Sequence, residues 1–424
     1  MPAPERSCFV YIQLPGTFET VTCARLTVAE VSTGVYEGTF QYGRRFLERK
    51  DVVALDAFHL GLTSRPLKFT KLKGVPGAVR DASPDAWGRR VIQAKLQRPE
   101  QDIQEMEYLL NGPDDGAGNL SFGTQVEPPK ERRPFNRTHQ LEALVAAAEK
   151  LEEDGRLPHE VLEKLEPGTS MGGARPKVTL EDGNKIWLAK LPEKGDRQNM
   201  QRIEYATLEL ARAAGLKVCG TRMESVGAKE ALLLERFDRE WAPEAKAYLR
   251  YGLVSGLTVL DAEDGYFGRE RWSYPLLADE LRRWSRKPDE DRLELYKRML
   301  FNAMVTNNDD RPRNHAMLRT HEGWRLSPAY DIVPKPLLSL EQRDLALTVG
   351  KFGRSAGRYN LLSRCDAFGL DVAQARHELD SMLKVVQGWR DFYAERGVSK
   401  DDLEYLEQAI LPQSFYRDAP PEPI

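Results

Sequence analysis

Asn307-Asn308-Asp309-Asp310-Arg311-Pro312-Arg313-Asn314-His315-Ala316-Met317-Leu318-Arg319-Thr320-His321-Glu322-Gly323-Trp324-Arg325-Leu326-Ser327-Pro328-Ala329-Tyr330-Asp331 is the stretch from which the rest of the chain is read. An Asp and an Asn stand five residues apart, Asp309 and Asn314. A short hairpin-like connection follows, and a second carboxylate, Asp331, closes the stretch. That order suits phosphoryl transfer. One carboxylate positions the attacking hydroxyl, and an amide and a second carboxylate hold magnesium on nucleotide phosphates. Asn-Asn-Asp-Asp runs are also common in ordinary turns. Here the spacing, the apolar helix expected just before it (Leu293, Tyr296, Leu300, Met304) and the Ser-Pro-Ala-Tyr-Asp after it favour chemistry. Asp310 is adjacent and carries the same group, but the five-residue offset to Asn314 selects Asp309 as the catalytic candidate, with Asn314 and Asp331 as metal ligands.

Protein kinases write the same order as H-R-D-x-x-x-x-N followed by D-F-G. Such a motif needs a lysine and a phosphate-binding turn upstream, and both are present. The runs Val178-Thr179-Leu180 and Ile186-Trp187-Leu188 flank Asp182-Gly183, a strong hairpin signal. The second strand ends at Lys190, placed as the lysine that contacts the α- and β-phosphates of ATP. Before the hairpin lies Gly168-Thr169-Ser170-Met171-Gly172-Gly173-Ala174-Arg175-Pro176-Lys177, whose small residues let backbone N–H groups face phosphates. Thr169 and Ser170 are the autophosphorylation candidates, because a dianion there would oppose the ATP phosphates. A helix follows with Ile203, Ala206, Thr207, Leu210, Ala211 and Ala214 on one face and Gly215 past its end. Glu204 in that helix either orients Lys190 or simply suits the helix dipole. The apolar strand Ala231-Leu232-Leu233-Leu234 leads into Glu235-Arg236-Phe237-Asp238-Arg239. Backbone groups of Glu235 to Phe237 are placed to meet adenine, and Asp238 and Arg239 to pair as a salt bridge.

The chain has 424 residues, 41% hydrophobic, enough for two or three domains. Its net charge of −3 gives no basic excess for direct nucleic-acid binding. No apolar run approaches the roughly 20 residues that span a bilayer. Met1 to Cys8 lacks a charged-then-apolar leader pattern. Cys8, Cys23, Cys219 and Cys365 have no C-x-x-C spacing, which fits a reducing, cytoplasmic setting rather than zinc or disulfides. Up to about Leu96 the pattern reads as short strands separated by turns. Glu127 to Pro134 reads as a Pro-rich linker. A helix is expected from near Thr138 through Leu141, Leu144, Val145 and Ala148, and the chain is mostly helical from about Leu276. The expected organisation is α+β: a β-rich subdomain over 1–126, an N-lobe with the Gly-rich loop and ATP lysine over 135–240, and a helical C-lobe with the catalytic and metal motifs over 241–424.

These residues resemble the HipA family of serine/threonine kinases, toxins of bacterial toxin–antitoxin pairs. The resemblance rests on Ser170 to Lys177, Lys190-Leu191-Pro192, Glu235 to Arg239, and the Asp309–Asn314 spacing with Ser327 to Asp331. Gly77 to Arg90, with its Pro84-Asp85-Ala86-Trp87-Gly88, also looks like an N-terminal segment of that family. The resemblance implies a two-lobed, protein-kinase-like fold with a small β-rich N-terminal subdomain. It implies ATP and Mg2+ held by Gly172, Gly173, Ala174, Arg175, Lys177, Lys190, Glu235, Phe237, Asn314 and Asp331, with Asp309 as proton acceptor. It further implies a protein substrate, with aminoacyl-tRNA synthetases as the family's targets, and switching off by phosphorylation at the position of Ser170. The implied partner is a small helix-turn-helix antitoxin (HipB-like), through which DNA is contacted indirectly, with a dimer expected in that complex. One departure stands inside the motif: many members carry His where this chain has Arg311, a fixed positive charge near the phosphates. The alternatives are a weakly active kinase-fold corepressor bound to a DNA-binding antitoxin, and a small-molecule kinase.

Overall fold

The computed structural model describes residues 6–129, 134–165, 173–336 and 343–419, with the side chains of 266–268 left aside. Thr169, Ser170 and Gly172 therefore lie outside the described residues, as do linker residues 130–133. The chain divides into two compact units. One comprises Met1–Glu193, Glu235–Val254 and Leu318–His321, the other Lys194–Leu234, Ser255–Met317 and Glu322–Ile424.

In the first unit, antiparallel strands run in the order Leu67–Phe69, Val35–Tyr42, Thr20–Ser32, Arg6–Gln13 and Leu120–Gly123. Leu26 and Phe40 are buried beside exposed Arg25 and Gln41, the period-2 signature of a half-covered sheet, whereas Val10 to Gln13 on the next strand are buried on both faces. After Phe69 the chain is not a run of short strands, as the sequence suggested. It forms helices Gly77–Asp81, Ala86–Leu96 and Glu105–Asn111. Asp85 starts the second of these: its Oδ1 accepts a hydrogen bond from the backbone N–H of Gly88 at 2.9 Å. Trp87, Val91 and Ile92 then fall on one buried face. The expected hairpin forms between Lys177–Asp182 and Lys185–Lys190, with Lys177 opposite Lys190, but its two-residue turn is Gly183-Asn184, one position on from the expected Asp182-Gly183, because Asp182 still pairs with Lys185. Gly183 sits at φ +60°, which is why a glycine is needed there.

In the second unit the helix Met200–Ala213 is capped by Asn199 and followed by Gly215 at φ +87°, the left-handed stop the sequence indicated. The antiparallel pair Thr221–Val226 and Lys229–Glu235 comes next. Helices Tyr274–Trp284 and Pro288–Val305 then lead to the motif. The spacing of Leu293, Tyr296, Leu300 and Met304 predicts a single apolar face, but burial on Pro288–Val305 extends around the helix to Asp291, Glu294, Arg298 and Asn302. These polar groups are tolerated because they are bonded. Asp291 accepts from Arg325 and from the Leu326 N–H, and Arg298 pairs with Glu294 at 3.1 Å. All four cysteines are buried, and none forms a disulfide. Among the described residues, no helix is long and apolar enough to cross a membrane.

Candidate active site

The motif begins where Pro288–Val305 stops. Thr306 takes the left-handed conformation (φ 54°, ψ 48°) as the helix C-cap. Its hydroxyl donates to the Ala409 carbonyl and accepts from Arg343. The chain leaves the helix at a fixed angle, and the Asn307 N–H returns to the Asn302 carbonyl at 2.9 Å. The next turn is set by Arg311, Pro312 and Asn314, with the Asn314 N–H on the Arg311 carbonyl at 2.8 Å. Gly256 packs directly beneath it. Its N–H bonds the His315 carbonyl at 2.6 Å, and a Cβ there would meet the Pro312 carbonyl oxygen at 2.6 Å. Only glycine permits that approach.

The two adjacent carboxylates face opposite ways. Asp310 is 1% exposed. Its Oδ2 accepts the Tyr274 hydroxyl at 2.7 Å and its Oδ1 the Ala346 N–H at 2.5 Å. The Tyr274 oxygen accepts from Asn302 Nδ2 at 2.9 Å, and Asn302 Oδ1 accepts from Asn307 Nδ2 at 3.1 Å. A continuous buried chain of polar groups thus ties the helix, the loop and the 346 segment together. Burial pushes the Asp310 carboxyl up to about 7, and burial pushes the neighbouring His315 imidazole down to about 3, so that ring is neutral. Asp309, by contrast, is more than a third exposed at its side chain and carries two cations: Arg311 Nε at 2.6 Å from Oδ1 and Lys335 Nζ at 3.3 Å from Oδ2. These are surface pairs that a substrate can displace at little cost.

Asn314 donates its Nδ2 to the Asp309 carbonyl at 2.8 Å. That bond orients the amide and leaves its oxygen, the atom that ligates hard cations, with no hydrogen bond among the described residues. Asp331 is held near by two ties. Tyr330 donates its hydroxyl to the Arg313 carbonyl at 2.9 Å. Ala329 pairs with Val218, its N–H on the Lys217 carbonyl at 2.7 Å and its carbonyl accepting from Cys219. Asp331 itself sits at φ +57°, a left-handed conformation sparse for a non-glycine residue and found where a site demands it. The donor set (one amide oxygen and one carboxylate beside an exposed carboxylate) is of the hard-oxygen type that magnesium takes.

The remaining candidates belong to the first unit. Lys190 is buried at the end of its strand, and Glu235 pairs with Lys185 at 2.7 Å. Phe237 is half-buried between Arg236 and Asp238, and Gly173 is exposed. Arg175 pairs with Glu193 at 3.4 Å. Lys177 is placed unlike a phosphate ligand: its ammonium is buried against Asp85 at 2.9 Å and is 1% exposed. The Glu235-to-Arg239 motif proves structural in its charged members. Arg236 and Arg239 both bond Asp238, which is fully buried and held well below the usual carboxylate range despite burial, through its flanking guanidiniums. Together with Arg250, these arginines donate to the carbonyls of Asp114, Asp115, Gly116, Gly118 and Leu120. A cavity of about 1150 Å³ in this unit is lined by Phe135, Arg239, Tyr248 and Arg250 and contains none of the phosphoryl-transfer candidates.

Sequence reasoning missed Tyr274, Asn302 and Lys335, because nothing local marks them, and it favoured Asp309 over Asp310 by spacing alone. Comparison with known proteins bears on the whole arrangement. Residues 169–389, just over half of the chain, match the HipA-like C-terminal domain family. The chain is 24% identical over 281 residues to the serine/threonine-protein kinase toxin HipA of Shewanella oneidensis, covering 60% of this chain and 63% of that protein. It is 26% identical over 150 residues to the putative kinase Y4mE of Sinorhizobium fredii, covering 35% of this chain and 36% of that one. The aligned stretch thus spans less than two thirds of either relative. The fold is that of a chain in the solved Shewanella oneidensis complex of HipA, HipB and operator DNA, with a TM-score of 0.65, 16% identity and 94% of each chain covered. The chain is a member of the HipA family, and its HipA-like C-terminal domain contains Asp309, Asn314 and Asp331.

Proposed function

We propose that the chain is an ATP- and Mg2+-dependent serine/threonine protein kinase of HipA type. The observation that carries this reading is the division of labour between adjacent carboxylates, Asp309 at the surface and Asp310 locked inside. In this reading Asp309 orients the acceptor hydroxyl and takes its proton. Asn314, through its free amide oxygen, and Asp331 hold the magnesium, and Lys190 steadies the α- and β-phosphates. Bound magnesium neutralises the charge that develops on the transferred phosphoryl group. Arg311 and Lys335 keep the Asp309 carboxylate aimed until a substrate arrives. Glu235 and Phe237 offer backbone groups to the adenine.

The further reading is a toxin. Its substrate is a protein of the translation machinery, such as an aminoacyl-tRNA synthetase, and phosphorylation of Ser170 or Thr169 switches it off. Its partner is a small helix-turn-helix antitoxin, through which it meets DNA, and its setting is the cytoplasm. The likeness to the HipA toxin and to the HipA–HipB–DNA complex supports this. The Arg311–Asp309 pair favours a second reading, a corepressor with little catalysis. Controlled expression decides between them: growth arrest relieved by Asp331→Ala supports the toxin, and arrest that survives this substitution overturns it.

A further inference from the structure

Two motifs in the first unit that stand 92 residues apart are joined by one buried ion pair. Asp85, of Pro84-Asp85-Ala86-Trp87-Gly88, uses both carboxylate oxygens. Oδ1 caps the helix Ala86–Leu96 through the Gly88 N–H, and Oδ2 accepts from Lys177 Nζ at 2.9 Å. The Lys177 ammonium makes a second bond to the Gly173 carbonyl at 2.7 Å. The two side chains are 1% and 2% exposed. An ammonium at that depth is stable only while its partner stays charged and in place. The Pro176 carbonyl also accepts the Leu191 N–H at 2.9 Å, and Lys177 is paired with Lys190 across the hairpin. The turn from Gly173 to Lys177 is therefore fixed on one side by the capped helix and on the other by the strand that ends in Lys190.

We propose that Asp85 and Lys177 are positioning residues for the nucleotide. Lys177 does not bind phosphate. It pins Gly173 to Lys177, so that the backbone N–H groups of Gly173, Ala174 and Arg175 are already aimed when ATP arrives. This rests on the kinase reading. Pre-organisation of this kind acts on binding of ground and transition states alike, so its loss raises KM for ATP and spares kcat.

The test uses the full chain with Asp85→Asn, Lys177→Met and the double variant, in which both charges are gone and Asn still caps the helix. ATP affinity, the KM and kcat of phosphate transfer, and thermal unfolding are measured for each. The expected result is a KM and Kd for ATP raised about tenfold in all three, with kcat held within about twofold and the double variant unfolding closer to wild type than either single. A folded double variant with wild-type ATP affinity and KM, or one that loses kcat with KM unmoved, overturns the inference and leaves the pair a brace of the fold. Should the charge-removing variants fail to fold, Asp85→Glu keeps the charge and displaces it by one methylene, and an unshifted KM there overturns the inference equally. A wild-type chain that neither binds ATP nor transfers phosphate sinks the kinase reading instead, so the two failures are separable.

Discussion

Tyr274→Phe removes one oxygen from the buried chain behind the motif and keeps the ring that packs edge-on against His315 at 5.4 Å. Two groups lose their partner: the Asp310 carboxyl and the Asn302 amide. A buried neutral donor left unpaired costs about 1–3 kcal/mol, and a hydrogen bond to a charged group is worth about 1.5–3 kcal/mol. The loss at pH 8 is thus about 2.5–6 kcal/mol. The pH dependence follows from Asp310. Its carboxyl is raised from 3.8 to about 7 in the folded chain, so its burial favours the protonated form. Relative to an unburied carboxyl, about 4 kcal/mol of stability is present below pH 4 and lost as pH rises through 7. The Tyr274 hydroxyl, which opposes that upward shift, matters most when Asp310 is charged. The variant's deficit is therefore expected to shrink to about 2 kcal/mol at pH 5. Urea unfolding at pH 5 and pH 8, followed by tryptophan fluorescence, reads both values. A deficit under about 1 kcal/mol at pH 8, or one equal at both pH values, refutes the reasoning.

Two further outcomes follow from the same physics. Asp238→Asn leaves the buried guanidiniums of Arg236 and Arg239 without their carboxylate and is expected to cost about 3–5 kcal/mol, seen as a lowered Tm of the first unit. Gly256→Ala forces a Cβ to within 2.6 Å of the Pro312 carbonyl. It is expected to cost about 1–3 kcal/mol and, by shifting the turn between Asp309 and Asn314, to reduce phosphate transfer more than stability alone explains, measured by label incorporation at a temperature where the variant stays folded.

The parts of the fold that local chemistry dictates were legible. Gly183 marks its hairpin, with the turn one position on from the expected one, and Gly215 ends its own helix, because each needs only its neighbours in sequence. The helix Ala86–Leu96 was not read from the sequence: its surroundings of short apolar runs drew it into the strand reading, and the Asp85 cap emerges only in the structure. What the sequence did not reveal is who meets whom at long range. Lys177 looks like any strand-end lysine until Asp85 is found beside it. Asp238 and Arg239 suggest a pair, but the carbonyls of residues 114–120 that complete the cluster are more than a hundred positions away. Spacing alone ranked Asp309 over Asp310, and the opposed burial of the two is a fact of packing around Tyr274 that no spacing contains. Arg311 was flagged as a departure from the family, but its bond to Asp309 emerges only in three dimensions.

The central claim is that Asp309 serves phosphate transfer from ATP. Incubation of the wild-type chain and Asp309→Ala with labelled ATP and magnesium tests it most directly. Label is expected on Ser170 or Thr169 of the wild type and none on the variant. Equal labelling of the two, or no nucleotide binding by either, would contradict it.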